Sequence, residues 1–168
     1  AGISGHFKRE GKEVENPCEY ERRRQIGEGG TNTLPKEELQ KAYEHSAGAV
    51  KIILGLLITT GMRIQELLDL QWQDINFKSL AIRVNGKGNK QRIVYSTPQA
   101  LQTLQEASQY NRPTDLIFPL TQRETRRMVW EALKPYSKAR QLSPHAIRHT
   151  FATNMAAHGV NCSTLAHM

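Results

Sequence analysis

From Gly48 to Thr60 the sequence is apolar at nearly every position, with Lys51 as its one charge. A helix of that kind has no face to offer to water and must be covered on all sides. Gly61 stops it. The rest of the chain therefore has to supply a shell of amphipathic elements, and 168 residues suffice for one domain with a real core. The longest apolar stretch, Val50 to Ile58 with Lys51 inside it, is too short to cross a bilayer. Residues 1–30 are polar, so no signal peptide is expected among them. The expectation is a soluble, intracellular, mainly helical domain.

Periodicity outlines the shell. Pro35, Glu37 and Glu38 mark the start of a helix that runs to about Ser46. After Gly61 a short helix is predicted from Met62 to Gln71, with Ile64, Leu67 and Leu68 apolar. Arg63 shares a line with Leu67 and Leu70, at the margin of a buried face, where an unpaired guanidinium is costly. Either Glu66, three residues on, or a bound anion would neutralise it. Trp72 to Phe77, Leu80 to Val84 and Lys90 to Ser96 read as three short strands. Asn85-Gly86-Lys87-Gly88-Asn89 is a hairpin turn by composition and sets Lys87 at its tip. Pro98 to about Tyr110 is a further helix. Thr121 to about Arg140 is a basic one, carrying Arg123, Arg126 and Arg127, which Pro135 should bend or break. The fold class is thus mainly α with a small antiparallel β-sheet (α+β) at the edge of a helical core. Residues 1–32, ending in Glu28-Gly29-Gly30-Thr31-Asn32, read as linker, and 33–168 as the domain.

The last helix draws attention to chemistry. Ser143 is a good N-cap, Pro144 suits the first helical position, and Gly159 offers a stop, so the helix should run from Pro144 to about His158. At 100° per residue, His145, Arg148, His149, Ala152 and Ala156 share one side, and Ile147, Phe151 and Met155 the other. A helix covered on both sides is expected, with a permanent cation and an imidazole at its anion-favouring end.

Several chemistries are excluded. Cys18 and Cys162 form no Cys-x-x-Cys pair and no disulfide framework. The hairpin glycines are not a nucleotide loop, because Gln91 stands where a third glycine would be needed and Lys87 precedes Gly88. His145 and His149 have zinc-ligand spacing, with His158, Cys162 and His167 following. Ala146 occupies the place of a metalloprotease glutamate, however, and Arg148 would repel a metal ion. No serine or cysteine stands in a nucleophile motif. The net charge of +7 favours a polyanion such as nucleic acid as partner. What remains is a set of cations, Arg63, Lys87, His145 and Arg148, suited to neutralising one phosphate and delivering a proton to it.

Three segments carry a family resemblance: Thr60-Gly61-Met62-Arg63-Ile64-Gln65-Glu66-Leu67-Leu68, Gly86-Lys87-Gly88-Asn89-Lys90-Gln91-Arg92, and Leu142-Ser143-Pro144-His145-Ala146-Ile147-Arg148-His149-Thr150-Phe151-Ala152-Thr153. In order and spacing they resemble the tyrosine site-specific recombinases, the class of phage and transposon integrases and chromosome-dimer resolvases. The resemblance implies that Arg63 and Arg148 clamp a scissile phosphate, that Lys87 protonates the leaving 5′-oxygen, and that His145 assists proton transfer. Glu66 and His149 would support that cluster. Lys90, Arg92, Arg123, Arg126 and Arg127 would contact DNA. The bond energy would be kept in a 3′-phosphotyrosyl link, with no metal, nucleotide or other cofactor.

The implied partner is double-stranded DNA at a specific recombination site, bound by an oligomer of up to four subunits, with no membrane. The setting would be cytoplasmic, on the nucleoid of a prokaryote. Two features of the family fall outside these residues on this reading. Its nucleophilic tyrosine, and a His or Trp before it, would lie past Met168. Its core-binding domain would precede residue 33, with residues 1–32 as linker or remnant. The expectation is thus a catalytic domain lacking its last segment, incapable of cleavage alone. The alternative is a catalytically inactive relative that occupies recombination sites.

Overall fold

The apolar rod of the sequence is the central helix of the structure. The computed structural model describes residues 33–86, 91–139 and 142–159. Six α-helices and one three-stranded sheet lie among them: α1 (Lys36–His45), α2 (Gly48–Thr60), α3 (Ile64–Leu68), β1 (Ile75–Asn76), β2 (Ala81–Asn85), β3 (Gln91–Tyr95), α4 (Pro98–Ser108), α5 (Gln122–Leu133) and α6 (Pro144–Ala157). Helix α2 packs against the five other helices and against β3. Its Ile53, Leu54, Leu56 and Leu57 are 0% exposed. Each such side chain contributes about 1.5–3 kcal/mol relative to an exposed position.

Two glycines permit that central role. Gly55 faces Tyr43 and Ala100, so close that a methyl group there would press on both. Gly61 is in the left-handed region, at φ +59°, and donates its N–H to the Leu57 carbonyl, which ends α2. A side chain on Gly61 would collide with the Phe151 ring. No membrane-length apolar helix occurs among the described residues.

The sheet has the order β1-β2-β3, antiparallel throughout. The pairings Ile75↔Ile82 and Ile82↔Val94 align the apolar row, and Val84↔Arg92 continues it. Ile82, Val84 and Val94 are buried, whereas Ile93 and Tyr95 point outward. The expected first strand is shorter than its sequence suggests. Trp72–Asp74 is a 3₁₀ turn, because Asp74 accepts a hydrogen bond from the Gln71 N–H at 3.0 Å and so caps its own turn. Residues 87–90, with Lys87 and Lys90, lie outside the described residues, as do 1–32 and 160–168.

The basic helix is also shorter than expected. It ends at Leu133 rather than near Arg140, since Pro135 has no N–H to continue the ladder. Thr121 and Glu124 cap its start reciprocally, through Glu124 N–H to Thr121 Oγ1 at 3.2 Å and Thr121 N–H to Glu124 Oε2 at 2.8 Å. Thr125, Val129 and Leu133 face the core, leaving Arg123, Arg126 and Arg127 outside. Similarly α3 covers five residues rather than Met62 to Gln71.

Helix α6 starts as the sequence predicts, with Ser143 Oγ accepting the Ala146 N–H at 3.2 Å. Its most buried stripe is different, however: Ala146, Ile147 and Thr150, while Phe151 and Met155 are only half-buried. Thr150 escapes a hydrophobicity pattern because it is polar. Its hydroxyl is satisfied internally, donating to the Ala146 carbonyl at 2.9 Å and accepting the Leu34 N–H at 2.7 Å. That bond ties the start of the described region to the last helix.

Candidate active site

Gly61, Arg63 and α6 come together where the central helix ends. Arg63 immediately precedes α3, and its N–H donates to Glu66 Oε2 at 2.7 Å. Its Nη1 donates to Glu66 Oε1 at 2.8 Å. The pairing of Arg63 with Glu66 that the sequence allowed is therefore present. Yet the Arg63 side chain is still 50% exposed and lines a cleft of 460 Å³. Met62, Ile64 and Gln65 line the same cleft, together with Ser143, Pro144, His145 and Arg148 from the start of α6. Arg126 of α5 completes the lining.

The cleft thus unites Arg63, His145 and Arg148, the cations the sequence assigned to one phosphate, with Arg126, which the resemblance grouped with the DNA contacts. His145 is exposed in the first turn of α6. Arg148, one turn deeper, is half-buried and donates from Nη1 to the Gly61 carbonyl. That carbonyl is freed for a side-chain donor because Gly61 has left the helical path. His149 is half-buried, with Nδ1 3.5 Å from Thr153 Oγ1, and does not line the cleft. Arg123 is exposed on α5, and Arg127 lies 3.8 Å from Glu131.

Arg92, grouped with the DNA contacts by sequence, is turned inward. Its Nη1 and Nη2 donate to Glu66 Oε1 and Oε2 at 2.9 and 2.8 Å, and its side chain is 17% exposed. The signal available in the sequence was its period-two spacing from Val94, which places both on the core side of β3.

Electrostatically the site is overfilled with positive charge. Burial alone would raise the Glu66 carboxyl. The hydrogen bonds from the Arg92 side chain, the Arg63 backbone and the Arg63 side chain, with the charge of Arg92, outweigh it and hold Glu66 below the usual carboxylate range. Burial lowers the Arg148 guanidinium, and the charges of Arg63 and Arg92 lower it further, against the opposing pull of Glu66. Arginine starts so high that it stays charged regardless. Three guanidinium groups around one carboxylate leave positive potential that an anion in the cleft would relieve. Among the described residues no three His, Cys, Asp or Glu side chains gather as metal ligands would.

Known proteins resemble this chain in sequence and in fold. Tyrosine recombinase XerD of Proteus mirabilis is 35% identical over 125 residues, which are 66% of this chain and 40% of that protein. XerD of Haemophilus influenzae is 36% identical over 66% of this chain and 42% of its own length. The chain therefore spans less than half the length of these relatives. The crystal structure of XerA recombinase superimposes with a TM-score of 0.66 at 25% identity, over 79% of this chain and 53% of that one. XerH site-specific recombinase bound to difH substrate gives a TM-score of 0.68 at 24% identity, over 80% of this chain and 46% of its own. These likenesses agree with the α+β architecture found here, and since residues 32–168 match the family as a whole, the chain belongs to the phage integrase family.

Proposed function

We propose that this chain is the catalytic portion of a tyrosine recombinase, which cleaves and rejoins double-stranded DNA at a specific site through a 3′-phosphotyrosyl intermediate. The observation that carries the reading is the joint lining of one basic cleft by Arg63, His145 and Arg148. The relatives named above are recombinases, and one is described bound to its difH substrate.

In this reading the two arginines hold the non-bridging oxygens of the scissile phosphate and stabilise the extra charge as a fifth oxygen approaches phosphorus. A tyrosine hydroxyl attacks, its proton passing to His145, and the P–O bond to the 5′-oxygen breaks. Lys87 gives that leaving oxygen its proton. Rejoining is the same sequence reversed, with the 5′-hydroxyl as nucleophile, so no outside energy source is required. Exchange between two duplexes cuts four strands, which calls for up to four subunits on the DNA. The prokaryotic nucleoid is the matching location.

The nucleophile, on this proposal, is none of the chain's own tyrosines. Tyr43 packs on α2, Tyr136 stacks on His45 with ring centres 5.1 Å apart, and Tyr95 and Tyr110 are exposed away from the cleft lining. Tyr20 lies outside the described residues. A displaced attacking group forfeits the proximity contribution of about 7–11 kcal/mol. Incubation of the chain with a nicked suicide substrate, followed by denaturing electrophoresis, should give no adduct, and a tyrosine-bearing C-terminal segment from a recombinase relative should restore one. An adduct mapped to any of these five tyrosines would refute the assignment of the nucleophile. No adduct with the segment restored would favour a binding protein without chemistry.

A further inference from the structure

Glu66 is a more crowded carboxylate than an ordinary ion pair requires. Its two oxygens accept four donors: the backbone N–H and Nη1 of Arg63, and Nη1 and Nη2 of Arg92. Four donors use essentially all the lone-pair sites a carboxylate has. The two arginines nonetheless stand differently. Arg63 is half exposed on the cleft wall, whereas Arg92 is largely covered and does not line the cleft. The Arg92 Nε–H is buried without a hydrogen-bond partner among the described residues, so the fork is committed to Glu66 through its far end.

We propose that Arg92 is a positioning residue: by holding both oxygens of Glu66 it fixes the carboxylate that in turn fixes Arg63 at the cleft wall, and it makes no phosphate contact of its own. The proposal rests on the phosphate-clamping reading of Arg63 above. Three features of the geometry support it. The alternation of β3 commits Arg92 to the core side together with Val94, opposite Val84 on β2. Helix α3, which carries Glu66, packs against β2, so the carboxylate meets Arg92 on the inner face of the sheet. Arg63 is attached to Glu66 through both backbone and side chain, so any rotation of the carboxylate moves both attachments. With Arg92 gone, Glu66 keeps only the two donors of one residue and loses the planar fork that sets its orientation. A lysine would restore the charge but not the two-point grip.

The test is NMR of the arginine Nε–H and glutamate carboxyl resonances in the whole chain, with inorganic phosphate as the probe. A labelled duplex is titrated against salt in parallel. In the wild type, phosphate should shift the Arg63 resonance saturably. In Arg92→Gln the Arg63 affinity should fall roughly tenfold and the Glu66 titration midpoint should rise. Arg92→Lys should recover most of the Glu66 midpoint and little of the Arg63 affinity, a split that a merely structural role would not produce. The slope of log affinity against log salt should not change, because about 0.9 is lost only where a phosphate contact is removed. Unchanged Arg63 affinity in Arg92→Gln, or a slope reduced by about one, would overturn the proposal. Should Arg92→Gln fail to fold, Arg92→Lys carries the same comparison. If wild-type Arg63 ignores phosphate, the clamp reading falls, but Arg92 is still judged by the Glu66 midpoint and the order of the Arg63 side chain. If both stay as in wild type when Arg92 is replaced, the positioning role is wrong.

Discussion

Gly61→Ala is the most searching single perturbation of this fold, because one methyl group meets two independent obstacles. The first is conformational: at φ +59° a residue with a Cβ costs about 1–2 kcal/mol. The second is steric. The added carbon would collide with Phe151 Cδ1 and lie 2.7 Å from Cγ and 2.9 Å from Cε1, all rigid ring atoms, so either α6 or the end of α2 must shift. Overpacking of this kind costs typically about 1–3 kcal/mol. The expected total is about 2–5 kcal/mol, read from urea unfolding by circular dichroism at constant m-value. The two parts separate in a double-mutant cycle with Phe151→Ala. With the ring gone, Gly61→Ala should cost only its conformational part, giving a coupling of about 1–3 kcal/mol. Equal costs in both backgrounds, or a total below about 1 kcal/mol, would refute the reasoning. The same shift should displace the Gly61 carbonyl from Arg148 and weaken phosphate binding even where the variant remains folded.

Other expectations follow from single contacts. Thr150→Val keeps shape but strands the buried Leu34 N–H, and should cost about 1–3 kcal/mol in the same unfolding experiment. Glu66 is held below the ordinary carboxylate value of 4.5, so its contribution is fully present above that value and is lost as pH falls through the lower folded value. A pH series of unfolding free energies should show this loss in the wild type and not in Glu66→Gln. That variant should be less stable at neutral pH, because the arginines lose their shared anion. Arg63→Ala and Arg148→Ala should each weaken binding to duplex DNA with helix content retained, as measured by anisotropy and circular dichroism. Arg126→Ala, on the exposed edge of the cleft, should lower the salt slope by about 0.9 if it touches a phosphate.

The elements with strong local codes were legible without coordinates. The bounds of α2 follow from a nearly continuous apolar run and a glycine stop, and the start of α6 from Ser143 and Pro144, because these are decided by neighbours a few residues away. The three antiparallel strands were readable as well, from alternation and an Asn-Gly turn. Arg63, His145 and Arg148 stood out as cations at helix starts, and the structure brings them to one cleft.

What only the tertiary structure decided concerns partners distant in sequence. The core stripe of α6 runs through Thr150 rather than Phe151, since a hydroxyl can be buried once Leu34 and Ala146 satisfy it. Arg148 finds its acceptor in a backbone carbonyl at Gly61, and no side-chain pattern records a carbonyl left open by a left-handed turn. Arg92 looks like one more surface charge until β3 is paired with β2 and its inner face is closed by α3. A charge is then buried because a carboxylate from another element already waits there, and the cost of burying either alone is what binds the two together. Sequence determines which residues carry charge and how each short segment coils. Which charges face one another is set by the packing of α2 against everything else, because only packing brings such distant groups within a few ångströms.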